Sequence, residues 1–204
     1  MEQMDKKNLT LALIASALIT VLVIPTIANL PLPASIAGLG TIGVAIVLGV
    51  LSFVGYLTAE FLSKWVGLFK QLGRFAIVGV LNTIVDFAIL NVLIKAFNIT
   101  GGFTIDLFKG MSFVVAVINS YYWNKYWTFQ VEKKTRSEFL EFIGVSLIGF
   151  GLNVGAFHTI VNIIDPISGI APGVWANLGA LAGTVIGLIW NFLGYKLIVF
   201  KKAS

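Results

Sequence analysis

Apolar residues run along this chain in long blocks, separated by short clusters of Lys, Arg, Asn, Pro and Gly. From Asn8 to Ala59 there is no charged residue, a stretch too long for one membrane-crossing helix of ~20 residues. Pro25, Asn29, Pro31 and Pro33 divide it, which predicts spans near Leu9–Asn29 and Ser35–Thr58. Further apolar blocks cover about Phe75–Phe97, Met111–Phe129, Phe142–Ile164 and Val174–Phe200. Each is long enough to cross a bilayer. The pattern predicts an all-α integral membrane protein with six transmembrane helices.

Composition agrees with the pattern and narrows the function. Of 204 residues, 58% are apolar and 11% charged, against ~45–50% and ~25% in soluble domains. A mean hydropathy of +0.95 excludes an ordinary soluble domain and a disordered chain alike. Cys is absent, which removes disulfides and thiolate chemistry, and a lone His158 cannot build a multi-histidine metal site. No paired carboxylates, nucleophile–base set or phosphate-cradling Gly-rich loop can be found. The chain is therefore expected to be no enzyme and to need no cofactor or metal.

The net charge of +5 reads as membrane topology rather than nucleic-acid binding. Lys6, Lys7, Lys64, Lys70, Arg74, Lys125, Lys133, Lys134, Arg136, Lys196, Lys201 and Lys202 fall on one predicted side. Only Lys95 and Lys109 fall on the other, between spans three and four. That 12-to-2 split predicts a cytoplasmic-membrane protein with both termini in the cytoplasm. The first span is longer than the 7–15 apolar residues of a signal peptide, and Glu2 and Asp5 interrupt its basic flank, so it is expected to be retained.

The last four spans repeat. A shift of 67 residues lays Arg74-Phe75 on Glu141-Phe142, Val78 on Val145 and Asp86 on Asn153. A shift of 71 lays Lys125 on Lys196, Trp127 on Ile198 and Phe129 on Phe200. These spans read as two parallel-repeat helical hairpins, related about an axis along the membrane normal.

Several polar residues stand where hydrocarbon should make them costly. Asp86 lies about 16 Å into span three at ~1.5 Å per residue, where a carboxylate costs at least ~2.5–3.5 kcal/mol. It either lines a groove or glues helices together as a protonated acid. Asn82 lies one turn before it on the same face, and Asn153 is its repeat counterpart. Asn119, Ser120, Asn124 and Asn191 extend this polar set. Lys125 and Lys196 each lie one turn from a span end, where they either snorkel to the interface or, with Arg74, bind an anionic headgroup. The aromatic cluster Tyr121, Tyr122, Trp123, Tyr126, Trp127 and Phe129 fits an interfacial belt, with sugar stacking as the alternative. Gly179, Gly183 and Gly187 on span six, and Gly151 and Gly155 on span five, predict close helix packing within a bundle or an oligomer. His158 reads as a hydrogen-bonded helix residue or a proton relay, and Asn98-Ile-Thr100 as an acceptor sequon on the outer side.

From Arg74 to Lys202 the chain resembles the GtrA-like family of small membrane proteins. The resemblance rests on Arg74-Phe-Ala-Ile-Val-Gly-Val-Leu-Asn-Thr-Ile-Val-Asp86, Asn119-Ser-Tyr-Tyr-Trp-Asn-Lys-Tyr-Trp-Thr-Phe129 and Trp190-Asn-Phe-Leu-Gly-Tyr-Lys-Leu-Ile-Val-Phe200. Lys125 and Lys196 stand where the family often has Arg, and Gly194-Tyr195 replaces a Leu-Asn pair. The resemblance divides the chain into an extra N-terminal helix pair with its linker, residues 1–70, and a four-helix domain, residues 71–204. It implies a flippase for a polyprenyl-phosphate-linked monosaccharide, serving cell-surface polysaccharide or glycoconjugate synthesis. The substrate residues on that reading are Arg74, Asn82, Asp86, Asn119, Asn124, Lys125, Trp127, Asn153, Asn191 and Lys196. Expected partners are the sugar lipid, membrane lipids, a glycosyltransferase or a second copy of the chain, and not nucleic acid. The alternative is a non-catalytic membrane anchor or stabilising subunit for a glycosyltransferase, since a similar four-span unit is joined to dolichyl-phosphate sugar synthases.

Overall fold

A computed structural model describes residues 5–28, 38–99, 102–131, 137–164 and 172–200. The backbone alone is described at 102, 103, 105, 106, 109, 154, 157, 161, 162, 172–181 and 184. Helix α1 (Lys6–Leu22) starts at Asp5, whose carboxylate accepts from the Lys7 backbone N–H at 3.1 Å and the Asn8 amide at 2.7 Å. Such a cap satisfies one of the donors that every helix leaves open at its first turn. Pro25 does not end this span. It sits in the first turn of a short continuation, α2 (Ile24–Ala28), where a missing N–H costs little. The Asn29, Pro31 and Pro33 breakers lie outside the described residues.

Helix α3 (Gly40–Leu62) returns beside α1. The two approach closely at Gly49, where a Cβ would strike the Thr20 hydroxyl and stand 3.0 Å from the Ser16 carbonyl oxygen. A turn at Ser63–Gly67 leads into α4 (Leu68–Phe97), which packs on α1, α3 and the following helix. Its 30 residues extend ~45 Å, well beyond a ~30 Å hydrocarbon core. Asn98 closes α4 in the left-handed region (φ 53°), a conformation Asn tolerates because its short side chain can bond locally. Thr100 of the sequon is outside the described residues.

Helix α5 (Gly102–Trp123) pairs with α4 and passes directly into a π-helical turn, π1 (Asn124–Thr128). The second hairpin comprises α6 (Glu138–Asn162), α7 (Pro172–Gly194) and a second π-helical turn, π2 (Tyr195–Val199). Lys95 and Lys109, expected between spans three and four, both lie within helices: Lys95 in the last turn of α4, where the predicted span also ended, and Lys109 in α5, which begins before its predicted span. Lys133, Lys134, Arg136, Lys201 and Lys202 are outside the described residues.

The described residues form helices joined by turns and short irregular segments, without a strand. Among the described residues, four helical stretches are long and apolar enough to cross a membrane: Lys6–Ala28, Gly40–Leu62, Leu68–Phe97 and Glu138–Ile160. Their outward faces carry Leu13, Val21, Ile42, Leu51, Val92 and Leu147, all exposed. Water would penalise such a surface, whereas lipid solvates it. The chain is a multi-pass membrane protein.

Two compact units divide it, Met1–Gln130 and Val131–Ser204. The first has a core of Ala12, Ala15, Ile19, Ala45, Val78, Leu81, Ala116 and Trp127. The N-terminal helices thus share a core with α4 and α5. In the second unit, α6 and α7 meet at glycines. A Cβ at Gly183 would fall 2.5 Å from the Asn153 carbonyl oxygen, and one at Gly187 would fall 3.0 Å from that of Gly149. Gly151 and Gly155, expected on the packing face, have open space instead; Gly149 takes that part on α6.

Gly183→Ala should therefore lower the thermal midpoint in detergent, at a cost of about 1–3 kcal/mol for overpacking. Gly151→Ala should be neutral or stabilising, since Ala is the better helix former by ~1 kcal/mol. Equal shifts for both variants would contradict the packing assignment.

Candidate substrate seam

The first unit gathers its polar side chains along the α4–α5 contact and around π1. At one end, the Ser112 hydroxyl donates to Asp86 Oδ1 at 2.6 Å. Ser112 is fully buried and Asp86 half-buried. At the other end, Arg74 is 3% exposed and lies between two acceptors. One guanidinium nitrogen reaches Glu60 Oε1 of α3 and the other the Trp127 backbone carbonyl, both at 3.4 Å. Tyr56 donates its hydroxyl to the same Glu60 oxygen at 2.9 Å, and its ring lies 6.0 Å from that of Trp127.

Between these ends, several buried atoms have no hydrogen-bond partner: Asn82 Oδ1, Asn119 Nδ2, Asn124 Oδ1, Trp127 Nε1, Thr128 Oγ1 and Arg74 Nε. Asn124, Trp127 and Thr128 are each almost fully enclosed. An unmet buried donor or acceptor costs about 1–3 kcal/mol. A row mixing donors with acceptors can be satisfied by water or by a hydroxyl-bearing ligand.

π1 forms where the last turn of α5 widens, so that the Phe129 N–H reaches the Asn124 carbonyl at 2.9 Å. The Asn124 amide donates back to the Ser120 carbonyl at 2.9 Å and hydroxyl at 3.2 Å. Lys125 is 1% exposed, with Nζ 3.4 Å from the Tyr121 hydroxyl. Its ammonium lies 5.6 Å and 5.8 Å from the Tyr121 and Tyr126 ring centres, within cation–π range. Tyr122 stacks on Tyr126, and Trp123 meets Trp127 edge to face. The aromatic cluster therefore builds a wall around a buried cation as well as an outward rim: Tyr122 and Tyr126 are exposed, whereas Trp127 and Phe129 are buried.

The second unit ends the same way. π2 begins 71 residues after π1, and the Phe200 N–H reaches the Tyr195 carbonyl at 2.7 Å. Lys196 takes the position of Lys125 but is half-buried, its Nζ 5.8 Å from the Phe192 ring centre. Tyr195 stands where the first unit has Asn124. It stacks on Phe142 at 4.5 Å and shares a 2.7 Å hydrogen bond with Ser146. Asn191 lies over Gly149 with its Oδ1 buried and without a partner, and Asn153 packs on Gly183 and Gly187. His158 is exposed on α6.

Of the ten residues expected to contact substrate, Arg74, Asn82, Asp86, Asn119, Asn124, Lys125 and Trp127 lie in the first unit, and Asn153, Asn191 and Lys196 in the second. Sequence reasoning missed Glu60, Tyr56, Ser112, Thr128 and Tyr195. Glu60 carried the one readable signal, being the first charge after the long uncharged stretch.

Apolar helices long enough to cross a membrane, with polar side chains along the α4–α5 contact and π-turned hairpin ends, define a small multi-pass membrane protein. The chain belongs to the family described as GtrA/DPMS, transmembrane domain, which it matches over residues 74–200. It is 30% identical over 133 residues to the uncharacterized membrane protein YngA of Bacillus subtilis (strain 168), covering 64% of this chain and 80% of that protein. No solved structure matches.

Ser112→Ala should lower stability by about 1–3 kcal/mol, because it removes one buried donor from the half-buried Asp86 carboxyl. Thermal unfolding in detergent measures this, and an unchanged midpoint would mean that Asp86 does not depend on Ser112.

Proposed function

We propose that the chain is a flippase for a polyprenyl-phosphate-linked monosaccharide, acting in the cytoplasmic membrane with both termini in the cytoplasm. The observation that carries this reading is the row of unpartnered buried polar atoms beside the enclosed Lys125. Membership of the GtrA/DPMS family supports it. A sugar phosphate cannot cross hydrocarbon unaided, because its hydroxyls and charge would lose water with nothing in exchange. Buried donors and acceptors along the α4–α5 contact would supply replacements, while the prenyl tail stays in lipid.

On this reading Lys125 attracts the phosphate as a point charge, and Lys196 offers an equivalent contact on the second hairpin. Asn82, Asn119, Asn124 and the Trp127 indole N–H exchange hydrogen bonds with the sugar hydroxyls. Asp86, held by Ser112, marks the far end of the seam. Arg74 acts by holding π1 through the Trp127 carbonyl, since both of its terminal nitrogens already have partners. Asn153 and Asn191 serve the corresponding positions in the second unit. The matching π turns, 71 residues apart, favour two parallel copies of one hairpin.

A second reading, an anchoring or stabilising subunit for a glycosyltransferase, draws on the close glycine packing of α6 and α7. It also draws on the resemblance to four-span units joined to dolichyl-phosphate sugar synthases.

Reconstitution in liposomes separates the two. A labelled polyprenyl-phosphate sugar is followed by its access to an impermeant sugar-modifying reagent added outside. The flippase reading expects the protected inner half to become accessible only with protein present. Lys125→Met and Asp86→Ala should slow this at least tenfold while inserting normally. Persistent protection across several sugars, with intact protein, would leave the anchoring role.

A further inference from the structure

Residues 1–73 lie outside the family match, yet α1 and α3 share a core with α4, α3 reaches π1, and α1 reaches the residue just beyond that turn. From α3, Glu60 holds Arg74, and Arg74 in turn reaches the Trp127 carbonyl inside π1. The Tyr56 ring packs against that of Trp127 while its hydroxyl fixes the Glu60 carboxylate. From α1, the buried Asn8 accepts from the Gln130 amide at 3.4 Å, just beyond the turn. Gln130 itself sits at a φ of 55°, so the chain turns sharply there.

A π turn is a widened turn that relies on its surroundings to persist. The Trp127 carbonyl lies within π1, and Arg74 is the side chain that meets it. A guanidinium can bridge two acceptors through separate nitrogens, whereas a Lys ammonium is a point charge on a longer-swinging stem. Glu60 contributes the counter-charge that lets this guanidinium stay buried.

We infer that Glu60 is a positioning residue. Through Arg74 it holds π1 in the form that encloses Lys125, which makes the N-terminal helix pair part of the seam's support. This rests on the flippase reading only for its functional consequence; the geometry is testable without any substrate.

Lysine acylation of the full-length chain in detergent, read by peptide mass spectrometry, provides that test. The exposed Lys64 is the reference, and Lys196 reports loosening of the second unit. Glu60→Gln should raise Lys125 labelling relative to Lys64 at least tenfold and leave Lys196 within twofold. Glu60→Asp should restore part of the protection. Arg74→Lys should behave like Glu60→Gln and is the variant to read if Glu60→Gln does not accumulate. Lys125 staying within twofold of the parent would overturn the assignment. So would a joint rise of Lys125 and Lys196, because the bridge would then serve the fold as a whole. Failure of liposome transport with Lys125 protected as expected would count against the flippase reading and leave this one standing.

Discussion

A polar atom enclosed in hydrocarbon has no water to turn to, so each must be matched from within the chain or by something that enters. That constraint organises the first unit. Arg74 would be costly among lipid-facing helices, and it is tolerable because Glu60 supplies a carboxylate and Trp127 a carbonyl. Small residues bring the helices near enough for those contacts: Gly73 lies against Ala59, and Gly49 against Ser16 and Thr20. Close packing and polar satisfaction are here one requirement, since the Glu60–Arg74 bridge needs α3 and α4 side by side.

The same constraint gives meaning to the atoms that remain unmatched. One orphaned amide would be a minor defect. Six buried orphans, drawn from α4, α5 and π1, mix donors with acceptors. Lys125 lies enclosed at π1, its Nζ near the Tyr121 and Tyr126 rings. The second unit keeps the Lys position and the π turn yet replaces Asn124 with Tyr195, whose hydroxyl is taken by Ser146.

Much of the architecture was legible because a membrane imposes a coarse rule. Long apolar blocks must be helices, and the blocks at Phe75, Phe142 and Val174 all lie in helices. Helix ends were harder: α4 begins at Leu68 and α5 at Gly102, since helices continue past the bilayer at little cost. Pro25 read as a breaker, although a first-turn position tolerates it. The 71-residue shift marked two matching span ends through the Lys and Phe agreement, but their π geometry was not legible in it, because a widened turn leaves no residue pattern of its own. Glu60 escaped notice because a charge ending an apolar run looks like a boundary; its partner is 14 residues away across a turn. Which glycines pack was equally hidden, because spacing alone does not say which face a helix turns inward.

On the proposed reading, the α4–α5 seam admits water or a polar headgroup between otherwise apolar helices. Because the chain has no cysteine, single cysteines report directly on it. The most direct measurement is the rate at which a water-soluble maleimide labels Cys placed at Asn82 or Asn119, compared with Val80 or Phe87, which are exposed on the apolar face. In membranes the seam positions should react at least tenfold faster than the lipid-facing pair. Seam positions as unreactive as Val80 and Phe87 would mean a dry interface, and would contradict a polar path through the first unit.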